Sequence, residues 1–137
     1  MSKSDIPNSL RSAVHARDGG RCCYCHLGQT GQASAFHIDH IIPRSKGGRT
    51  AVENLALQCP NCSLHKSNKT DAIDPNTGIA AKLFHPTNHH WTEHFRIEIN
   101  GAVIGISDVR RATVIALRMN DPMAKTARAI QMMLGLI

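Results

Sequence analysis

The sequence predicts a small α+β domain stapled by a metal ion. Three observations carry that expectation. The chain is short, 137 residues and 15.0 kDa; helical periodicities at both ends flank short β-favouring runs; and four of its five cysteines fall into two C-x-x-C pairs, Cys22/Cys25 and Cys59/Cys62. This length suits one compact domain. Aromatic content of 4% leaves Phe36, Phe84, Trp91, Phe95 and aliphatic residues as a modest core, which a staple would support.

Residues 7–18 place Leu10, Ala13 and Val14 at i, i+3 and i+4, with Pro7 suited to a first turn and Gly19-Gly20 as a stop, so a helix is expected. Residues 35–43 form a β-favouring run closed by Pro43, Ser45-Lys46-Gly47-Gly48 reads as a loop, residues 54–58 return as a second strand, and a short helix begins in residues 61–69. Residues 74–78 mark a turn or hinge. Two runs flanking Asn100-Gly101 read as a hairpin with a type I′ turn. Ser107 or Asp108 would cap a helix with Ala112, Ile115, Ala116 and Met119 on one face. After the break at residues 120–122, a last helix carries Met123, Ala127, Ile130 and Leu134 on one side and ends near Gly135. Residues 1–70 are thus expected to form the core and residues 71–137 a hairpin-and-helix extension packed on it.

No apolar run reaches the roughly 18 residues that cross a bilayer, and the N-terminus lacks the apolar segment and cleavage site of a secretory signal. A cytoplasmic protein without membrane contact is expected. The net charge is +6, unevenly spread: residues 1–70 hold nine Lys or Arg against four acids, a net of +5, whereas residues 71–137 hold seven against six. A basic half on a near-neutral half suits a polyanionic partner.

In a reducing compartment an odd cysteine count fits metal binding better than disulfides. Two C-x-x-C pairs, with 33 residues between them, suit a closed tetrahedral Zn²⁺ site, structural because no position is left for water. Cys23 is read as a spectator. Between the pairs stands His37-Ile38-Asp39-His40. A carboxylate is a hard ligand for Mg²⁺ or a similar ion, and a neutral imidazole takes a proton from water near pH 7. With Arg44, Lys46, Arg49, Lys66 and Lys69 close by in sequence, the electrophile that such a site attracts is a phosphodiester. Neighbouring strand residues point to opposite faces, so Asp39 and His40 share a site only at a strand end or an irregularity.

Arg-Cys22-Cys-Tyr-Cys25, then His-Ile-Asp39-His40-Ile-Ile-Pro-Arg-Ser-Lys-Gly-Gly, then Glu-Asn54-Leu-Ala-Leu-Gln-Cys59-Pro-Asn-Cys62 resembles a zinc-stabilised HNH endonuclease over residues 11–70. The resemblance implies a ββα-metal, treble-clef-like core that cuts DNA with Mg²⁺ or Mn²⁺. In it His40 is the general base, Asp39 a metal ligand and Asn54 the residue that orders the base-bearing loop. The family usually places His or Asn directly after the last zinc cysteine as a second metal ligand; here that residue is Ser63. Ser63 and His65 are both candidates, although on a helix His65 lies about 200° around from Ser63. A non-catalytic zinc-knuckle module that binds nucleic acid is the alternative; DNA is the expected substrate, with RNA not ruled out by the sequence.

His85, His89, His90 and His94 around Trp91 are read as packing or hydrogen-bonding groups. Arg110, Arg111 and Arg118 are read as a solvated helix face or an extended DNA contact. The Met132-Met133-Leu134 end is core or a self-association face that would pair two copies into a homodimer.

Overall fold

The computed structural model describes residues 5–137; residues 1–4, part of the N-terminus that bears on a secretory signal, lie outside the described residues. Helix α1 (Asn8–Asp18) ends where Gly19 adopts a left-handed conformation, φ 59°. Val14 is buried and Leu10 packs against the core, while Ala13, expected on the same face, is exposed. Arg17 and Asp18 tie the end of α1 to residues 52–57: Arg17 donates to the carbonyls of Val52 and Leu55, and the Asp18 carboxylate accepts from the Leu57 amide at 2.9 Å.

Strand β1 (His37–His40) pairs antiparallel with β2 (Leu55–Gln58), His37 opposite Gln58 and His40 opposite Leu55. All four β2 residues are buried because α1 and helix α2 (Pro60–Lys66) both pack on that strand. Cys59 caps α2 by accepting from the Cys62 amide, and Pro60 occupies the first turn, where its missing N–H costs nothing. The helix stops at Lys66, earlier than the sequence suggests, because Ser67 turns to φ 50°.

The turn at residues 74–78 is the tip of a small hairpin, β3 (Asp71–Ile73) with β4 (Ala80–Lys82), which the sequence reading missed. The next hairpin, β5 (Phe95–Ile97) with β6 (Val103–Gly105), stands where expected, but its turn is not type I′. That type needs positive φ at both central residues, and of Asn100 and Gly101 only Gly101 has it, at 86°. The Gly101 amide donates to the Glu98 carbonyl and the Glu98 amide to Ala102, which makes a three-residue loop closed by a left-handed glycine. Gly101 is also required sterically: a Cβ there would lie 1.9 Å from the Lys125 carbonyl oxygen.

Helix α3 (Asp108–Ala116) is capped by Ser107, whose hydroxyl accepts from the Arg110 amide. Arg118, at φ 50°, ends it in a Schellman motif: the Met119 amide reaches the Val114 carbonyl and the Arg118 amide the Ile115 carbonyl. The buried face is Ala112, Thr113, Val114, Leu117 and Met119, so Ile115, expected inside, is exposed.

Helix α4 (Pro122–Met133) overturns its expected orientation. Met123, Ile130 and Leu134 are exposed, as is Met133, while Arg128 and Gln131 are buried. The reason is hydrogen bonding. Arg128 Nε donates to the Gly101 carbonyl at 2.8 Å, and its Nη2 donates to Met119 O and Asn120 Oδ1. Gln131 pairs with both backbone groups of Gly28, each at 2.8 Å, and donates to the Thr30 carbonyl. Gln131 and the Nε and Nη2 atoms of Arg128 are hydrogen-bonded inside, which makes their burial stable, whereas Arg128 Nη1 has no partner among the described residues. The core itself draws on both ends of the chain, with Val14, Tyr24, Leu57, Phe84, Phe95 and Leu117 among its members.

Candidate functional site

Cys22 and Cys25 sit on one tight turn, held by a Cys22 amide bond to the Leu27 carbonyl and by His26 at φ 64°. Cys59 and Cys62 sit at the start of α2. All four are buried, and their sulfurs lie within 4.8 Å of one another. In a tetrahedral zinc site, bonds of about 2.3 Å put sulfurs about 3.8 Å apart; Cys25 Sγ and Cys59 Sγ are 3.7 Å apart. The donor set therefore fits a structural zinc. Burial pushes the Cys22 thiol up, whereas hydrogen bonds from Cys22, Cys59 and Cys62 hold Cys25 well below the usual thiol range. Cys23 stands outside the cluster, its amide bonded to the Leu57 carbonyl of β2.

Asp39 and His40 both line a cavity of about 400 Å³ together with Arg44, Ser63, Ser67 and Asn68. Their opposite strand faces do not separate them, because His40 is the last residue of β1. Asp39 faces α2, where Ser63 Oγ donates to Asp39 Oδ2 at 2.6 Å. His40 Nε2 pairs with Thr50 Oγ1 at 2.8 Å. Burial, and then the Arg44 charge, lower the proton affinity of His40 below that of an ordinary imidazole. Asn54 lies at the base of the intervening loop and fixes it: Oδ1 accepts from the Ile42 amide at 2.9 Å, and Nδ2 donates to the carbonyls of Ile42 and Arg49. Gly48 completes the cradle, since a Cβ there would lie 1.7 Å from the Ile42 carbonyl oxygen.

His65 does not join this group. Its Nδ1 donates to the Asn61 carbonyl, and Arg118 Nη1 stands 3.5 Å from its Nε2. The residue that the sequence reading missed is His37, whose Nδ1 lies 3.4 Å from Ser63 Oγ. The signal was available: His37 and Asp39 are two apart on one strand and so share a face. Among the basic candidates, Arg44 lines the cavity, Lys46, Arg49 and Lys69 are exposed, and Lys66 is buried with its ammonium 3.4 Å from the His40 carbonyl.

Residues 22–69 match a family model described as HNH endonuclease. No curated protein and no solved structure matches. No helix among the described residues is long and apolar enough to cross a membrane.

Proposed function

With residues 22–69 the chain belongs to the HNH endonuclease family, and on that premise we propose that it hydrolyses phosphodiester bonds in DNA at the cavity between β1 and α2. The observation that carries this reading is the convergence of Asp39, His40, Ser63 and Arg44 on one cavity. The chain from β1 through β2 to α2 supports a ββα-metal arrangement in which the four cysteines hold a structural zinc.

An anionic oxygen, a hydroxyl and an imidazole nitrogen are gathered at Asp39, Ser63 and His37, a donor set that suits Mg²⁺ or Mn²⁺. Asp39 and His37 would hold the ion, with Ser63 between them. When bound, the ion supplies a Lewis acid for the scissile phosphate and for charge on the departing 3′ oxygen. His40 is the general base. With Nε2 engaged by Thr50, Nδ1 is the nitrogen that takes a proton from water, and its lowered proton affinity keeps the ring neutral near pH 7. Asn54 is a positioning residue, holding both ends of the loop that carries Thr50. Arg44 draws the phosphodiester towards the base.

The test is supercoiled plasmid, with RNA in parallel, incubated in Mg²⁺ and in Mn²⁺. Nicking that needs the added ion and disappears in His40→Ala is expected. A His37→Ala protein should bind Mn²⁺ about tenfold more weakly by electron paramagnetic resonance. DNA retarded on a gel yet intact in every ion refutes hydrolysis and leaves a non-catalytic zinc-knuckle binding module.

A further inference from the structure

A second cavity, of about 630 Å³, lies against Lys66 and is walled jointly by the matched segment and by residues 82–110. Its cations are Lys46, Lys66, Lys69, Lys82 and Arg110, and no Asp or Glu among the described residues lines it. Like charges gathered around one space repel unless an anion enters. Two buried groups add to that demand. Lys66 is only 2% exposed, yet its one hydrogen bond is the 3.4 Å contact to His40 O, and no carboxylate among the described residues pairs with it. The Tyr24 hydroxyl, also buried, has no hydrogen-bond partner among the described residues. Hydroxyl and ammonium together are donors without enough acceptors, which is the complement of a phosphate's oxygens.

Beside Thr70, His85, Asn88 and His89, the rest of the wall is apolar. Tyr24, Ile41, Ile42, Leu83, Phe84 and Val109 line it, and Arg110 is fixed above the Phe84 ring, 5.3 Å from its centroid, with Nε bonded to His94 Nδ1. An apolar chamber of this size with convergent cations matches a small-molecule site rather than a bare ion site. A phosphate alone would use the cations and leave the exposed Ile42 and Val109 uncovered, whereas a nucleotide would cover both.

We propose that this cavity binds one nucleotide, its phosphate held by Lys66, Lys82 and Arg110 and its base and sugar set against Ile42 and Val109, the exposed apolar side chains of the wall. The same phosphate ester can come from two sources, a free nucleotide or the 5′-phosphorylated end of a DNA strand. The site gives residues 82–110 a role that is separate from hydrolysis at Asp39 and His40, and binding to it needs no added Mg²⁺ or Mn²⁺.

The experiment uses the zinc-loaded full chain in buffer without added Mg²⁺ or Mn²⁺, so that failure of hydrolysis and failure of this site are read apart. Calorimetric titrations compare dAMP, a short single strand with a 5′-phosphate and the same strand with a 5′-hydroxyl. The variant is Lys82→Glu, since Lys82 is exposed at the end of β4, and the charge-matched control is Arg96→Glu on exposed β5 surface outside the cavity. The expected result is binding of a phosphate-bearing ligand that Lys82→Glu weakens about tenfold or more and Arg96→Glu leaves within about twofold. Binding of dAMP identifies the free nucleotide as sufficient; binding of the strand only when 5′-phosphorylated, without dAMP, identifies the strand end. Absence of binding by both, or equal weakening by the two variants, overturns the proposal.

Discussion

Lys66→Met is expected to make the protein more stable at neutral pH. Burial lowers the Lys66 amine from 10.5 to about 8, with Asp39 opposing the shift and Lys46 adding to it. A difference of that size, at 1.36 kcal/mol per pH unit, corresponds to about 3 kcal/mol of preference for the neutral amine in the folded chain. The folded value lies below the unfolded one, so the cost is fully present below about pH 8 and is relieved as pH rises from there towards 10.5. Methionine fills nearly the same volume without the charge, and the only hydrogen bond lost is the 3.4 Å contact to His40 O, worth at most about 1 kcal/mol. The net gain should be about 2 kcal/mol at pH 7, shrinking to under about 1 kcal/mol at pH 9.5. Urea unfolding of zinc-loaded wild type and variant at the two pH values measures it. A variant less stable than wild type at pH 7, or a difference that does not change with pH, refutes the reasoning. Nucleotide affinity should fall in the same variant.

Removing zinc should abolish the cooperative thermal transition followed by circular dichroism, because four buried thiolates hold both C-x-x-C turns and the start of α2; an apo protein that melts like the zinc-loaded one sinks that account, and Cys59→Ser should behave as the apo form. Gln131→Leu should cost about 2–4 kcal/mol, since both backbone groups of Gly28 and the Thr30 carbonyl lose partners. Hydrogen exchange at the Gly28 amide reads this directly, and unchanged protection there contradicts it.

The features legible in the sequence were local. The two C-x-x-C turns, Pro60 at a helix start, the glycine after α1 and the two strands around Asn100-Gly101 each depend on residues within a few positions of one another. The pairing of Asp39 with Ser63 was nearly legible, because the strand and the helix are both short and adjacent. His37 was not singled out: its shared face with Asp39 acquires meaning only once α2 is known to lie across that face. The β3–β4 hairpin escaped because its strands are three residues each and expose both outer positions, which leaves no apolar alternation to detect.

The larger departures came from α4 and from the second cavity. Amphipathic periodicity assigns Met123, Ile130 and Leu134 to the inside, but Gln131 finds its partners 103 residues away at Gly28, and Arg128 finds its own on the β5–β6 loop and at residues 119–120. Those carbonyls are invisible in any window of sequence. The five cations of the second cavity are likewise scattered from Lys46 to Arg110, and as a sequence they read only as basic residues. The sequence by itself determined the pairs of cysteines that cluster, the His-Asp-His strand and the basic half, because cysteine spacing, side-chain chemistry and charge belong to residues one at a time or in short runs. Only the tertiary structure decided which polar groups lie inside and which cations face one another, because hydrogen bonds and charge act between groups that distant parts of the chain bring together.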